Sequence, residues 1–117
     1  MTYLLALLLV GHTFTINTGR IIDGYISAYS RADSCHNMNA QGECIMANGK
    51  PVSEGSIACP RNIKLGSIVE INGVRFSCND RTAEWVQQKF PNTFDIFVDG
   101  PEAKQMGRQR VKIKIYE

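Results

Sequence analysis

Residues 63–78, IKLGSIVEINGVRFSC, contain the clearest strand and turn signals of the chain. Within this stretch, residues 67–71 (SIVEI) and 74–78 (VRFSC) have the β-branched and aromatic content that is typical of strands. Asn72 and Gly73 lie between them, and Asn-Gly is the strongest short-range signal for a two-residue hairpin turn. The stretch therefore predicts an antiparallel β-hairpin.

Further short strands are predicted on both sides of this hairpin, at residues 21–30, 94–98 and 110–116. Residues 82–90 predict a helical turn or two that Pro91 stops, and residues 102–106 a short helix that Gly107 closes. Residues 31–56 are rich in Asn, Gly, Ser and Cys and predict a long loop. Many short strands with little helix indicate a mainly β fold and a small closed barrel.

The strand predicted at residues 94–98 (FDIFV) carries an unusual acidic residue. Alternation along a strand places Phe94, Ile96 and Val98 on one face, and Asp95 and Phe97 on the other. Aspartate is depleted in strands, so Asp95 is a candidate functional residue.

Length and charge restrict the class of protein. A chain of 117 residues supports one domain, which we place at residues 21–117. The 13 Lys and Arg residues against 11 Asp and Glu give a net charge of +2, which is too small to indicate a nucleic-acid partner. The basic residues of the last strand alternate with apolar ones, which is typical of a solvated strand face.

The N-terminal residues 1–20 are interpreted as an apolar leader and a possible signal peptide. Residues 3–10 (YLLALLLV) form an unbroken apolar run, long enough for the hydrophobic region of a signal peptide and too short to span a bilayer. No Lys or Arg precedes the run, and no A-x-A-like cleavage site follows it. We expect no stable membrane span.

The four cysteines are Cys35, Cys44, Cys59 and Cys78. An even number of cysteines in a small exported chain predicts two disulfides. We favour the pairs Cys35–Cys44 and Cys59–Cys78, although three connectivities are open. Four free thiols in a cytosolic protein are the alternative. Neither the cysteine nor the histidine spacing predicts a zinc site, and no metal or cofactor is expected.

Several short motifs follow one another in a characteristic order. They are AY (28–29), MANG (46–49), GSIA (55–58), IKLGSIV (63–69), NDRT (79–82), FDIF (94–97) and AKQMGRQRVKIKI (103–115). In order and spacing they resemble the 3D (three-aspartate) domain. That domain is the double-psi β-barrel of membrane-bound lytic transglycosylase A and of secreted cell-wall proteins, related more distantly to rare lipoprotein A and the expansins. The resemblance covers residues 24–116 and implies a small six-stranded double-psi β-barrel with one or two short helices.

The chain departs from the 3D pattern at two places. The first of the three aspartates, in the family motif A-V-D-P, falls here on Cys59, which Pro60 follows. The glycines that usually follow the second aspartate are replaced by residues 82–85 (TAEW). Asp80 and Asp95 are the two aspartates that remain.

The resemblance implies that Asp95 is the catalytic acid, because the family's acid, where one has been assigned, lies in the motif [IV]-D-[IL]-[YF]. Partial burial of Asp95 would raise its pKa and keep it protonated, as a general acid requires. Asp80 could raise that pKa further by like-charge repulsion, or act as the second carboxylate of a hydrolase. The alternative is that either aspartate only accepts backbone hydrogen bonds in the loops of the barrel.

Tyr29, Ser30, Arg81 and Thr82 are candidate substrate-binding residues. Tyr29 and Ser30 end the first strand and could line a glycan groove, or could pack or face solvent. Arg81 could contact a substrate anion, with an ion pair to an acidic neighbour as the alternative.

For the remaining polar and aromatic residues a structural role is favoured over a functional one. Trp85 could stack on a sugar ring, but a single Trp at helical spacing from Val86 and Phe90 is more often a core residue. Asp99, which precedes Gly100, is interpreted as a turn residue. His36 and Glu43 lie in the cysteine loop without an evident partner.

Two functions from different classes follow. The first is a secreted or periplasmic enzyme of the cell envelope, a monomeric lytic transglycosylase that acts on peptidoglycan. The second is a non-catalytic barrel that binds wall glycan or a protein partner. A third and weaker hypothesis, a redox or metal protein based on the cysteines, is disfavoured by their spacing.

Overall fold

The computed structural model describes residues 19–33, 35 and 37–117. The predicted leader lies outside these residues apart from Gly19 and Arg20, and so does His36. In the part of the chain that is described, neither helix has the length and apolar composition needed to cross a membrane.

Six strands close into a barrel, and two short helices connect them. The strands are β1 (Arg20–Tyr29), β2 (Ser56–Cys59), β3 (Ile68–Ile71), β4 (Val74–Arg81), β5 (Thr93–Phe97) and β6 (Gln109–Tyr116). The helices are α1 (Glu84–Lys89), between β4 and β5, and α2 (Glu102–Met106), between β5 and β6. The mainly β, six-stranded barrel with short helices that the sequence predicts is confirmed.

The barrel mixes parallel and antiparallel pairs around its circumference, in the order β1-β5-β2-β4-β3-β6. Strands β1 and β5 are parallel, as are β2 and β4, and the other four pairs are antiparallel. The first and last strands close the barrel through a ladder that runs from Arg20 opposite Ile115 to Ile26 opposite Gln109. This mixed arrangement is compatible with a double-psi barrel.

The predicted hairpin joins β3 to β4. Asn72 and Gly73 have φ angles of 51° and 79°, so both adopt the left-handed conformation that a type I′ turn requires. Ile71 pairs with Val74 directly across the turn. The turn thereby fixes the register of this part of the barrel.

Gly24 allows β1 to cross the start of β5. A Cβ atom built on Gly24 would collide with the carbonyl oxygen of Asn92 and lie 2.8 Å from the Cδ1 atom of Ile113. The next amide, that of Tyr25, donates to the same Asn92 carbonyl at 2.9 Å. The close approach of the two backbones therefore depends on the missing side chain.

Apolar side chains pack on both faces of the sheet. The barrel interior holds the larger cluster, which includes Ile57, Phe94 and Ile113, each with no exposed surface. A second cluster lies on the outer face and includes Tyr29 and Phe97, whose rings meet edge-to-face at 5.5 Å. Because side chains alternate along a strand, Asp95 shares its face with Phe97.

Two disulfides link the cysteines in the favoured pairs, Cys35–Cys44 and Cys59–Cys78. The second pair is fully buried and ties β2 to β4 inside the barrel. Since all four cysteines are bonded, the alternative of four free thiols is wrong. Disulfides of this kind persist in oxidising compartments.

Two local features differ from the sequence predictions. Strand β2 was not predicted, because all four of its residues are buried and a short strand that is covered on both faces shows no alternation. Trp85 is 63% exposed and is not a core residue, since its neighbour Val86 is the one that α1 buries.

Candidate active site

An open groove of about 390 Å³ lies against β1, β5 and the segment that joins α2 to β6. Its lining contains acidic as well as cationic side chains. The lining residues are Ser27, Ala28, Tyr29, Asp33, Asp95, Ala103, Lys104, Gly107 and Arg108. The groove therefore brings together side chains from three segments that are distant in sequence.

Asp95 sits in the middle of β5 and is fixed by its neighbours on both sides. It lies opposite Ser27 of β1 and opposite Ala58 of β2. The hydroxyl of Ser27 donates a hydrogen bond to Oδ1 of Asp95. The carboxyl group is thus held in one orientation by regular sheet structure.

Burial raises the pKa of Asp95 above its ordinary value. The hydrogen bond from Ser27 and the positive charge of Arg108 act in the opposite direction, and the negative charge of Asp80 adds to the increase. The net direction favours the protonated carboxylic acid, which is the form that can deliver a proton.

Asp80 lies near the end of β4 and is held by three donors. Its Oδ2 accepts from the Tyr29 hydroxyl at 3.1 Å, and its Oδ1 accepts from the backbone amides of Ala47 and Arg81, each at 2.9 Å. Asp80 does not line the groove. These contacts match the alternative that Asp80 is a hydrogen-bond acceptor that ties the loop at residues 46–49 to the barrel.

Tyr29 lines the same groove as Asp95 and also contacts Asp80. Its ring lines the groove beside Asp95, while its hydroxyl donates to Asp80. Burial raises the pKa of Tyr29 above its ordinary value, and the charge of Asp80 and the hydrogen bond to it act in the same direction. Tyr29 is therefore a neutral hydrogen-bond donor at any physiological pH.

The other predicted substrate-binding residues lie outside the Asp95 groove. Ser30 lines a neighbouring cavity of about 650 Å³, and its hydroxyl donates to Asp33 at 2.9 Å. The Arg81 guanidinium donates to the carbonyl of Pro60 at 2.7 Å and to that of Ile63, so its predicted ion pair with an acidic neighbour is replaced by backbone contacts. Thr82 is buried and accepts from Gln87 at 2.6 Å.

The segment at residues 82–90 leaves the groove open. None of its residues lines the groove, and the cavity that Thr82, Glu84 and Gln87 do line is a separate one of about 300 Å³. The bulky replacement for the family's glycines therefore does not cover Asp95.

Asp99 and Glu43, for which the sequence predicted no functional role, both have side-chain partners in the structure. Asp99 lies exposed in a bend, where it forms an ion pair of 3.3 Å with Arg31. Glu43 accepts from the side chain of Asn39 at 2.9 Å within the disulfide loop.

Sequence reasoning missed four residues of the groove: Ser27, Asp33, Lys104 and Arg108. Ser27 had a detectable signal, because it lies two residues before Tyr29 and so on the same face of β1. The other three lie in a loop, in a short helix and just after Gly107, where no periodicity indicates direction.

No group of three or more metal-binding side chains comes together among the described residues. No protein-family model matches the chain, and no curated protein matches it. The site is therefore interpreted from its own geometry and from the motifs that resemble the 3D domain.

Proposed function

We propose that this chain is an exported enzyme that cleaves the glycan strands of peptidoglycan, with lytic transglycosylase chemistry and Asp95 as its acid. One observation carries the proposal: a single part-buried carboxyl group, whose pKa is raised by burial, lines an open groove. The motifs that resemble the 3D domain supply the substrate class. The two disulfides agree with a secreted or periplasmic location.

In the proposed reaction Asp95 acts first as an acid and then as a base. Its carboxylic acid protonates the glycosidic oxygen between N-acetylmuramic acid and N-acetylglucosamine, and the bond from that oxygen to the muramic C1 breaks. The 6-hydroxyl of the same muramic acid attacks C1, and the Asp95 carboxylate accepts its proton. The product is a 1,6-anhydro ring, and the carboxylic acid is restored without water.

The geometry favours this reaction over hydrolysis through Asp80. A glycoside hydrolase of the usual kind needs a second carboxylate that is free to activate water or to attack the sugar. Both oxygens of Asp80 already accept hydrogen bonds, and Asp80 lies outside the groove lining. Asp33 is the second carboxylate that lines the groove, so a hydrolytic reaction would use Asp33 instead.

The decisive experiment is mass spectrometry of the soluble fragments released from purified peptidoglycan. The variants to compare are Asp95→Asn, Asp33→Asn and, as a matched control, Asp23→Asn, because Asp23 is exposed and pairs with Lys112 outside the groove. We expect fragments with 1,6-anhydro ends from the wild type, Asp33→Asn and Asp23→Asn. Asp95→Asn should lose at least about 100-fold in rate.

Other product patterns identify other mechanisms. Fragments with reducing ends, lost in both Asp95→Asn and Asp33→Asn, would establish a hydrolase. Release that is unchanged in Asp95→Asn would refute the assignment of the acid.

A non-catalytic glycan-binding barrel is the second candidate, and one observation favours it. Cys59 stands at the position of the family's first aspartate and is fully buried in a disulfide with Cys78. That position therefore contributes to the core and not to a groove. A folded wild-type protein that sediments with peptidoglycan but releases no fragment would establish this function.

A further inference from the structure

Two cationic side chains, Lys104 and Arg108, line the Asp95 groove without an acidic partner. All 11 acidic residues of the chain lie in the described ranges. The ion pairs that they form within 4.0 Å involve Arg20, Arg31, Arg75 and Lys112. Neither groove cation is paired with a described carboxylate.

The two carboxyl groups of the groove accept hydrogen bonds from serine hydroxyls. Asp95 accepts from Ser27, and Asp33 accepts from the hydroxyl of Ser30 at 2.9 Å. Neither carboxyl group comes within 4.0 Å of the nitrogen atoms of Lys104 or Arg108, so both cations can still contact the anionic group of a ligand.

Arg108 is held in place by an aromatic ring. Its guanidinium carbon lies 4.0 Å from the centroid of the Phe90 ring, and Phe90 in turn packs edge-to-face on Tyr25 at 5.5 Å. A guanidinium beside an aromatic ring can still bind a carboxylate with two parallel hydrogen bonds through its N–H groups. Lys104, four residues earlier in α2, adds a second donor on the same groove.

We propose that Lys104 and Arg108 form an anion subsite beside Asp95 that binds a carboxylate carried by the glycan. This inference rests on the proposed function and adds the basis of its specificity: the sugar bound next to the acid is recognised through its carboxylate. A neutral glycan of the same length lacks the group that the two cations recognise. Lys104 and Arg108 are thus specificity-determining residues.

Occupation of the subsite would also assist the acid. The positive charge of Arg108 opposes protonation of Asp95, and a bound carboxylate offsets that charge. An acidic substrate therefore favours the proton-donating form of Asp95 when it binds. Tyr29, Asp33, Asp80 and Lys104 are the other ionisable groups near this carboxyl, and the substrate carboxylate adds one more charge to their combined effect on its pKa.

Two parts of peptidoglycan can supply the carboxylate. One is the lactyl group of muramic acid, which is ionised where the strand carries no peptide. The other is a free carboxylate of the peptide stem, which is attached through the same lactyl group. Both sources place the charge on the muramic side of the scissile bond.

The test measures binding by isothermal titration calorimetry with the Asp95→Asn protein, which does not consume the ligand. The probes are a muramic-acid-containing tetrasaccharide with free lactyl carboxylates, the same tetrasaccharide with those groups converted to methylamides, and its peptide-bearing form. Arg108→Gln and Lys104→Gln are each combined with Asp95→Asn. Lys89→Gln is the matched control, because α1 does not line the groove.

We expect Arg108→Gln to weaken binding of a carboxylate probe by about tenfold or more, the effect of a lost charge-assisted hydrogen bond. Lys104→Gln should act in the same direction, and Lys89→Gln should have no effect. Neither groove variant should change the affinity for the methylamide probe. The probe whose binding responds, free-lactyl or peptide-bearing, identifies the source of the carboxylate.

Equal losses on the charged and neutral tetrasaccharides would overturn the subsite while leaving the proposed function standing. Absence of binding to every probe, by a protein whose thermal unfolding shows that it is folded, would overturn both.

Discussion

At the scale of single residues, the central feature is a part-buried carboxyl group, Asp95, whose pKa the fold raises above its ordinary value. Burial within the barrel wall raises the pKa of Asp95, and the neighbours that oppose this, Ser27 and Arg108, do not reverse it. Asp80, near the end of β4, accepts three hydrogen bonds, from the Tyr29 hydroxyl and from two backbone amides. The two aspartates thus differ in their surroundings: three donors bind Asp80, whereas Asp95 is partly desolvated.

The raised pKa makes ionised Asp95 a cost to the folded state. A group whose folded pKa exceeds its unfolded value contributes stability below the unfolded value, and that contribution is lost as pH rises through the folded pKa. We therefore expect Asp95→Asn to unfold at a higher temperature than the wild type at pH 7. The difference should shrink as pH falls towards the ordinary aspartate pKa of 3.8. Thermal unfolding followed by circular dichroism from pH 3 to pH 8 measures it, and a pH-independent difference would contradict the prediction.

The hydrogen bond from Ser27 limits the increase in the pKa of Asp95. Ser27→Ala removes the hydrogen bond that lowers the pKa of Asp95, so that pKa should rise further. The pH at which fragment release from peptidoglycan declines on the alkaline side should move upward. Arg108→Gln should move it in the same direction, because it removes a positive charge. Ser53→Ala, whose hydroxyl lies 3.4 Å from that of Ser56 and outside the groove, should leave the profile unchanged.

At the scale of elements, the hairpin between β3 and β4 shows how two residues determine the register of two strands. Its turn requires left-handed backbone at both central positions, and only glycine adopts that conformation without cost. Register errors here would turn Val69 and Ile71, both buried, towards the opposite face.

A pair of substitutions in the turn tests this account. Gly73→Ala places a Cβ atom at φ 79° and should lower the free energy of unfolding by about 1–2 kcal/mol. Asn72→Gly keeps the left-handed conformation accessible. It should change the free energy of unfolding by only a few tenths of the loss expected for Gly73→Ala. Urea unfolding with equal slopes for both variants provides the measurement. Equal losses in the two variants would show that the turn conformation is not the cause.

The elements that sequence reasoning found are those with a periodic or turn signal. The hairpin, β1, β5 and β6 all have alternating or β-branched patterns. The bounds of β1, β3, β5 and β6 were predicted within one residue, whereas β4 extends three residues beyond its predicted end, to Arg81. β2 was missed because its burial on both faces removes the alternation. Trp85 was assigned to the core as a single Trp at helical spacing from Val86 and Phe90, but the one residue that α1 buries is Val86.

At the scale of the whole molecule, the two disulfides differ in what they hold. Cys59–Cys78 lies in the barrel interior and closes a longer segment than Cys35–Cys44, with separations of 19 and 9 residues. Each bridge is expected to contribute about 2–4 kcal/mol through the unfolded chain. Cys59–Cys78 also fills space in the interior of the barrel.

Replacing each pair with alanine should separate these contributions. The Cys59→Ala/Cys78→Ala protein should unfold at a markedly lower temperature, because core volume is lost together with the cross-link. The Cys35→Ala/Cys44→Ala protein should lose less, since both of its cysteines are only part-buried. Differential scanning calorimetry ranks the two, and the reverse order would contradict this account.

The candidate site was only partly predictable because it is a property of the assembled barrel. Asp95 was found from an aspartate in an aromatic strand and from the family motif. The parallel pairing of β1 with β5 brings Ser27 to it, and the return of the chain after α2 brings Arg108. Such pairings across the sequence leave no local pattern. Asp80 also lies in a family motif, but the motif that carries the family's acid is that of Asp95, and the contacts around Asp80 differ as well.

The closure of the barrel by its first and last strands determines how it responds to mechanical load. β1 and β6 are antiparallel, so Arg20 and Glu117 meet at one end of their ladder, where they form an ion pair of 3.1 Å. The backbone hydrogen bonds of an antiparallel pair lie perpendicular to the strands. A force that pulls these two residues apart therefore loads one bond at a time, in the manner of a zipper, instead of shearing the whole ladder at once. Under such a load the barrel would open from this end of the β1–β6 ladder inward.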